Sequence, residues 1–169
     1  LFTGNLANGQ ANSIHQDRNG QFNITDNGTL DMRDPFTGEG TFNKSGKSVW
    51  KLGGDNTTKN LNLNGGTLYL YAKDEVGNAN KNNADAKVGL GHLDITENFT
   101  LASGAALSLG GQGHKIQVKS ANIQDNANIR FNLHTAKNDS KSDNTPILTF
   151  NIINPTQNFL DTAKIDIHT

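Results

Sequence analysis

Residues 38–70 read GEGTFNKSGKSVWKLGGDNTTKNLNLNGGTLYL, and this stretch decides the fold class. Its apolar residues stand in short runs, at 48–52, 61–63 and 67–71, in which apolar and polar positions alternate. Glycine and asparagine separate the runs, as in the turn Asn64-Gly65-Gly66. Alternation with a period of two predicts β-strands, and Gly and Asn are the residues that best tolerate tight turns.

The same pattern extends over most of the 169 residues. No apolar stripe has the spacing of a helix, so the sequence predicts an all-β chain. Further strands are predicted at 21–25, 29–32, 91–95, 99–101, 105–109, 115–118, 121–123, 127–133, 146–153 and 163–167.

The spacing of the strands predicts a solenoid. When one apolar residue is taken from each of six strands, the residue numbers rise by 19, 19, 39, 22 and 21 in turn, and the strand at 91–95 falls inside the long gap. A period of about 20 residues is the length of one solenoid coil. Turn signals every 8–12 residues, which are typical of a β-sandwich, also occur, so spacing alone leaves that fold open. The six residues are Leu30, Val49, Leu68, Leu107, Ile129 and Phe150.

Several coils share a local form, in which a polar turn is followed by a small residue and then an aliphatic one. The turn needs Gly or Asn because φ is often positive there, and the aliphatic residue is expected to point inward. The form recurs at 26–30, 64–68, 102–107 and 124–129. The predicted core is Phe22, Leu30, Val49, Leu52, Leu63, Leu68, Leu107, Ile129 and Phe150.

Composition excludes several classes of protein. Only 33% of the residues are hydrophobic, there is no Cys, and the charges, with a net value of −1, are spread along the chain, which argues against a nucleic-acid partner. No apolar run reaches the roughly 20 residues of a membrane-spanning helix. The polar stretches 73–87 and 136–144 are predicted to be loops that project from the solenoid. Because the chain starts at Leu1 without a leader, we expect a single segment, 1–169, of a longer protein.

Residues 38–70 resemble the repeat of autotransporter passengers, the exported parts of a family of Gram-negative surface proteins. That repeat has a G-x-G-x-x-x-K-x-G lead, then a strand, then L-x-G-x-N-T, a second strand and G-G-x-L. Thr58 stands where the family often has an aromatic residue. The matching residues are Gly38, Gly40, Lys44, Gly46, Leu52, Gly54, Asn56, Thr57, Gly65, Gly66 and Leu68.

The resemblance implies a right-handed parallel β-helix, exported through the outer membrane by a C-terminal translocator and either secreted or held at the cell surface. It implies the role of a stem that displays other parts, with adhesion, self-association or help in passenger folding as further roles, in a virulence factor. Passengers of the serine-protease branch carry a catalytic domain ahead of such a stem. The segment itself is therefore expected to be stem and not enzyme.

Catalytic and metal sites are not predicted. No Ser lies in a Gly-x-Ser-x-Gly elbow, and no Gly-Asp-Ser-Gly run is present. His92 and His114 are about one coil apart, so they could stack and bind a metal. A surface ladder or an edge-of-core pair is the preferred interpretation. No catalytic, cofactor or metal residue is therefore assigned. The histidines are His15, His92, His114, His134 and His168.

Two other hypotheses stay open. A carbohydrate-active β-helix, either an enzyme or a glycan-binding domain, would need two carboxylates in one cleft and exposed aromatic rings. Tyr69 and Tyr71 alternate with Leu68 and Leu70, so one pair points outward if the other lies in the core. An unrelated β-sandwich binding domain is the third hypothesis. The carboxylates that could form a cleft are Asp31, Asp34, Glu39, Asp74 and Glu75.

Overall fold

The structure is a computed structural model of the whole chain. It describes backbone and side chains at residues 20–25, 28–32, 35–72, 89–111 and 113–131. It describes the backbone alone in the strand segments at 6–7, 10–11, 14–16, 132, 148–152 and 165–168. The predicted loops at 73–87 and 136–144 lie outside the described residues, and so do Asp34 and His134.

The described part of the chain consists of strands and turns and contains no helix, as the sequence predicts. No described segment therefore forms a helix that could cross a membrane. The strands are β1 (Leu6–Ala7), β2 (Gln10–Ala11), β3 (Ile14–Gln16), β4 (Gln21–Ile24), β5 (Thr29–Met32), β6 (Phe36–Gly38), β7 (Thr41–Lys44), β8 (Val49–Leu52), β9 (Asp55–Leu63), β10 (Thr67–Leu70), β11 (His92–Leu101), β12 (Ala106–Leu109), β13 (His114–Ile123), β14 (Asn128–Asn132), β15 (Leu148–Ile152) and β16 (Ile165–His168).

Two parallel sheets of six strands each form the main body. The first sheet has the order β5-β8-β10-β12-β14-β16, and the second has the order β4-β7-β9-β11-β13-β15. From β7 onward, successive strands of the chain belong alternately to the second and the first sheet. Each new strand pairs with the preceding strand of its own sheet. Parallel pairing in both large sheets contradicts the β-sandwich, which is built from antiparallel sheets.

The strand register confirms a period of about 20 residues, the length of one solenoid coil, and corrects one detail. Phe42 pairs with Leu61 and Phe99 pairs with Ala121, so the residue number rises by 19 and by 22 at these two steps. Leu68, however, pairs directly with Leu107. The long stretch of sequence between them therefore forms one coil and not two. The strand predicted inside that gap belongs to the other sheet, and the extra length is taken up by residues 71–91 between β10 and β11.

The core lies between the two sheets and is built from the inward positions of each strand. Four of the predicted core residues, Leu52, Leu63, Leu68 and Leu107, are at most 1% exposed. Each such side chain contributes roughly 1.5–3 kcal/mol by leaving water. Phe22, Leu30 and Ile129 are only half-buried and pack against this core.

Val49 is a wrong core prediction, and Phe150 is assigned to the wrong column of strands. Leu30 pairs with Trp50 and not with Val49; Trp50 is fully buried, whereas Val49 is half-buried. A slip of one residue moves a side chain to the other face of a strand, so the choice between the neighbours mattered. Phe150 lies in the second sheet opposite Ile116, not beyond Ile129, and its side chain is outside the described residues.

The sequence pattern missed two aromatic residues of the core. Phe36 and Phe42 are fully buried, with ring centroids 4.1 Å apart, and both pack near Trp50. They lie in β6 and β7, which are too short and too rich in glycine neighbours to be recognised as alternating strands. Aromatic pairs of this kind stabilise a core beyond the area that they bury.

Strands 91–95 and 99–101, predicted separately, form the one strand β11. Its register shifts between Ile95 and Asn98, which pair with Val118 and Ser120, so β11 carries one residue more than its neighbour. Such a β-bulge bends the strand while the ladder continues on both sides. The same long form recurs in β9 and β13, so these three strands of the second sheet each have two halves, before and after the bend.

The turns before the strands of the first sheet follow the predicted chemistry. Gly66, Gly104 and Asn126 have φ values of 68°, 75° and 61°, in the left-handed region that suits glycine and asparagine. Successive turns also contact one another, since the Gly104 amide donates to the Asn126 carbonyl at 3.1 Å.

Candidate functional site

The lysine of the repeat-like motif is buried in the core. Lys44 ends β7 and pairs with Leu63, and it is 0% exposed. Its Nζ donates to the carbonyl of Ser45 at 2.9 Å and to that of Gly65 at 3.1 Å. A buried ammonium is tolerated only when it is hydrogen-bonded, and here backbone oxygens of two successive turns supply the acceptors. Lys44 therefore joins the turn after β7 to the turn after β9.

The double glycine of the motif makes room for this lysine. A Cβ placed on Gly66 would lie 2.6 Å from Lys44 Nζ and still closer to the Ser48 carbonyl oxygen. Gly66 also has a positive φ. Both the space and the backbone conformation therefore require glycine at this position.

The asparagine of the motif performs the same task at the next corner. Asn56 is 2% exposed, and its Oδ1 accepts a hydrogen bond from the Phe36 amide at 3.1 Å. Its Nδ2 contacts the carbonyls of Gly53, Gly54 and His92 at 2.9–3.2 Å. One side chain thus connects β6, the turn before β9, and β11. This amide has all its polar atoms satisfied, so its chemistry is used in holding turns together.

Two hydroxyl residues of the same segment, Thr58 and Ser48, are also buried. Thr58 Oγ1 donates to the Gly40 carbonyl at 3.0 Å, which fixes β9 to the turn before β7. A phenyl ring at this position could not make that bond, so Thr58 supplies a hydrogen bond where an aromatic residue would supply packing. Ser48 is 1% exposed, and its Oγ is the one buried side-chain oxygen or nitrogen without a partner in the described part of the chain.

His92 and His114 do not stack. Leu93 pairs with Ile116, so His92 lies opposite Lys115, and the two imidazoles fall on opposite faces. His114 is fully buried; its Nδ1 lies 2.9 Å from the Gly91 carbonyl, and its Nε2 accepts from the Gly111 amide at 3.3 Å. A neutral imidazole with the proton on Nδ1 satisfies both contacts. The two histidines therefore do not form the ladder or the edge-of-core pair that the sequence predicts.

His92 lies on the outer face beside Asp55 in β9 and Lys115 in β13. Partial burial lowers the pKa of His92 below its usual value; the Asp55 carboxylate raises that pKa, and the Lys115 ammonium lowers it. The Lys115 amide donates to His92 Nδ1 at 3.0 Å, a bond that requires this nitrogen to be unprotonated.

The carboxylates do not form a described cleft. Asp31 Oδ1 accepts a hydrogen bond from the buried Tyr71 hydroxyl at 2.7 Å, and Glu39 is exposed after β6. Asp34, Asp74 and Glu75 lie outside the described residues, so the carbohydrate-cleaving hypothesis stays a prediction. Within the described ranges, no three His, Asp or Glu side chains come together in the manner of a metal site.

Tyr69 and Tyr71 follow the outward positions of β10, with Leu68 and Leu70 in the core, but neither ring is a free platform. Lys51 Nζ lies 5.4 Å from the centroid of the Tyr69 ring and 5.7 Å from that of Tyr71. The two rings pack edge to face at 5.6 Å, and Tyr71 is 0% exposed. These contacts make a cation–π cluster that stabilises the outer face of the first sheet.

The second half of the second sheet presents a face without charge. Asn43 Nδ2 donates to Asn23 Oδ1 at 2.9 Å, and Asn62 Nδ2 donates to Asn43 Oδ1 at 2.8 Å. In the parallel row, Asn98 Nδ2 donates to Asn60 Oδ1 at 2.9 Å. We call this surface the amide–hydroxyl face; its rows are Gln21, Thr41, Asn60, Asn98 and Ser120, and Asn23, Asn43, Asn62, Thr100 and Asn122.

This face was not predicted from the sequence. Its signal is an asparagine or hydroxyl residue at alternate positions of strands one period apart, visible only once the register is known.

No family model, no curated protein and no solved structure matches this chain. The membership of the autotransporter passengers therefore stays a prediction that depends on residues 38–70. The geometry gives those residues a physical role: the polar side chains of the motif hold one turn of the chain to the next.

Proposed function

We propose that the chain is a structural and adhesive stem segment of an exported autotransporter passenger, folded as a right-handed parallel β-helix. In this proposal the segment carries other parts of a longer protein away from the outer membrane and has no catalytic role of its own. It binds partners through its side and uses no cofactor.

One observation carries the proposal: the polar residues of the repeat-like motif are used between turns. Lys44, Asn56 and Thr58 are all buried, and each bonds the backbone of another turn. Active sites place such groups in a cleft where a substrate can reach them. Groups buried and satisfied by the backbone instead stiffen a solenoid, in which every turn contacts only its neighbours.

The direction of winding follows from a general rule. Parallel strands of one sheet joined by a crossover are right-handed in about 98% of known cases. Each link here, such as β8 to β10 through β9, is a crossover of this kind. A crystal structure that showed left-handed winding would contradict this part of the proposal.

The experiment that tests the stem role uses the full-length protein in the cells that produce it. Antibodies raised against this chain are applied to intact cells, followed by protease treatment from outside. The proposal expects labelling of intact cells and loss of the label after protease. Labelling that appears only after the cells are broken would contradict it, and a periplasmic protein and an outer-membrane protein serve as controls.

A further inference from the structure

The amide–hydroxyl face is distinguished by what it lacks. The chain has 15 basic and 16 acidic residues, yet none of the positions of this face is charged or apolar. The charged residues of this sheet lie elsewhere: Asp94 and Lys115 are in its other half, and Lys59, Glu97 and Lys119 are at the bend beside the first row. The side chains of the two rows can therefore hold a ligand only through hydrogen bonds, and they offer a charged partner no opposite charge.

The ladder leaves half of each amide for a ligand. Asn43 donates one N–H to Asn23 and accepts one bond from Asn62. An asparagine side chain has two N–H donors and two acceptor lone pairs. One donor and one acceptor of Asn43 thus remain, and the bonds along the ladder hold the amide in one orientation. A ligand would meet ordered groups and would lose little side-chain entropy in binding them.

The size of the face favours a narrow ligand over a second copy of the chain. Neighbouring strands lie about 4.8 Å apart, and alternate residues along a strand about 6.6 Å apart. Five strands and two rows therefore form a strip about 20 Å long and about 10 Å wide, roughly 200 Å². A stable protein interface buries about 800 Å² on each partner. An extended oligosaccharide, in contrast, is long and narrow and carries hydroxyl groups along its length.

We propose that the amide–hydroxyl face binds a neutral, extended polysaccharide chain that lies along the stack of strands. The inference deepens the adhesive role and rests on the proposed function, because a stem displayed outside the cell would meet such polymers there. The sugar hydroxyls exchange hydrogen bonds with the remaining amide groups of successive turns. A repeating ligand on a repeating surface gains affinity from many weak contacts.

The test measures binding of the purified chain to amylose, cellulose and chitin, with heparin as the acidic polymer. The variant Asn122→Lys places a long, charged side chain on the face, in β13. The matched control is Gln117→Lys, since Gln117 is also exposed and lies in β13 before the bend. Circular dichroism and melting temperature are recorded for all three proteins, so that loss of folding is separated from loss of binding.

The inference expects binding to at least one neutral polymer, weakened at least tenfold by Asn122→Lys and less than twofold by Gln117→Lys. It is overturned if no neutral polymer binds, if both variants behave alike, or if heparin alone binds. Dimerisation in sedimentation that Asn122→Lys abolishes would also overturn it, in favour of a second copy. Surface labelling of cells is an independent measurement. Labelled cells without glycan binding would contradict only this inference, and glycan binding without surface labelling would contradict only the proposed export.

Discussion

At the scale of single residues, the buried polar side chains form hydrogen bonds between successive turns. Lys44 and Asn56 occupy inward positions that aliphatic residues fill in other turns, such as Leu63 and Leu93. Bonds to backbone carbonyls of neighbouring turns offset the desolvation of each side chain. Polar residues of this kind hold each turn to the next.

Replacing Lys44 tests this role. In Lys44→Met the core keeps an apolar side chain of similar length, but the carbonyls of Ser45 and Gly65 lose their donor. Because a hydrogen bond from a charged group contributes roughly 1.5–3 kcal/mol, we expect a loss of stability of about 2 kcal/mol. Urea unfolding measures it, with the exposed Lys47→Met as the control. Equal midpoints for the two variants would show that the ammonium has no such role.

Ser48 offers the opposite case. Its buried hydroxyl has no partner, so Ser48→Ala removes a desolvated group and leaves nothing unpaired. We expect the variant to be as stable as the parent or up to about 1 kcal/mol more stable. A clear decrease in melting temperature would mean that the hydroxyl has a partner after all.

His92 predicts a dependence of stability on pH. Its pKa is lower in the folded chain than in the unfolded chain, so the unfolded state binds the proton more tightly. The stabilisation is complete above the unfolded pKa of about 6.5 and is lost as the pH falls below that value. Protonated Nδ1 can no longer accept from the Lys115 amide. Melting temperatures from pH 8 to pH 5 should therefore fall less steeply for His92→Gln than for the parent; parallel curves would exclude this group as a cause.

At the scale of elements, the turns decide where each strand begins. Gly66 and Gly104 both have positive φ just before a strand of the first sheet, β10 and β12, but their surroundings differ. A Cβ on Gly66 would meet Lys44 and Ser48, whereas a Cβ on Gly104 would meet no atom within 4 Å. The pair therefore separates the cost of backbone conformation from the cost of lost space.

Alanine substitutions at the two glycines should differ in a predictable way. Gly104→Ala carries only the cost of the left-handed backbone, about 1–2 kcal/mol. Gly66→Ala carries that cost and a further ~1–3 kcal/mol for the crowding around Lys44. Thermal and urea unfolding of both variants measure the difference. If Gly104→Ala is the more damaging change, the packing of Lys44 under the double glycine is wrong.

At the scale of the whole molecule, the alternation between two sheets makes each turn an interchangeable unit. The step from Phe42 to Leu61 is one full turn, and the segment 45–63 has the same length. In a solenoid, stability is approximately a sum over turns and the interfaces between them. Removing a whole turn should therefore preserve the architecture, whereas removing half of one should move every later strand into the wrong sheet.

Deletion of residues 45–63 tests this arrangement. The joined chain places β10 beside β5 and β11 beside β7, so we expect a folded β protein with a lower melting temperature. Deletion of residues 45–54, about half a turn, is the control and should abolish cooperative unfolding. Far-UV circular dichroism and thermal melting measure both. If the two deletions are equally damaging, the turns are not interchangeable units.

The local pattern of the sequence predicted much of the fold. Alternating runs located most strands, and Gly or Asn in the turns marked positions such as Gly66 and Gly104 where φ is positive. Leu68 and Leu107 were correctly placed in one column because their runs are long and flanked by clear turns. These features follow from local backbone sterics and from the period of two along a strand, which any single sequence carries.

Register and the roles of polar residues were decided only by the tertiary structure. The sequence does not show whether Trp50 or Val49 points into the core. A shift of one residue in the strand register moves every side chain to the other face of the sheet. The separation of His92 and His114 likewise depends on the pairing of His92 with Lys115.

The sequence by itself determined that the chain would consist of short strands separated by Gly- and Asn-containing turns, because those are local properties. Only the tertiary structure decided which polar side chains are buried and bond the backbone of another turn, and which form the amide–hydroxyl face. The physical reason is that a hydrogen bond between turns forms only once both turns are in place.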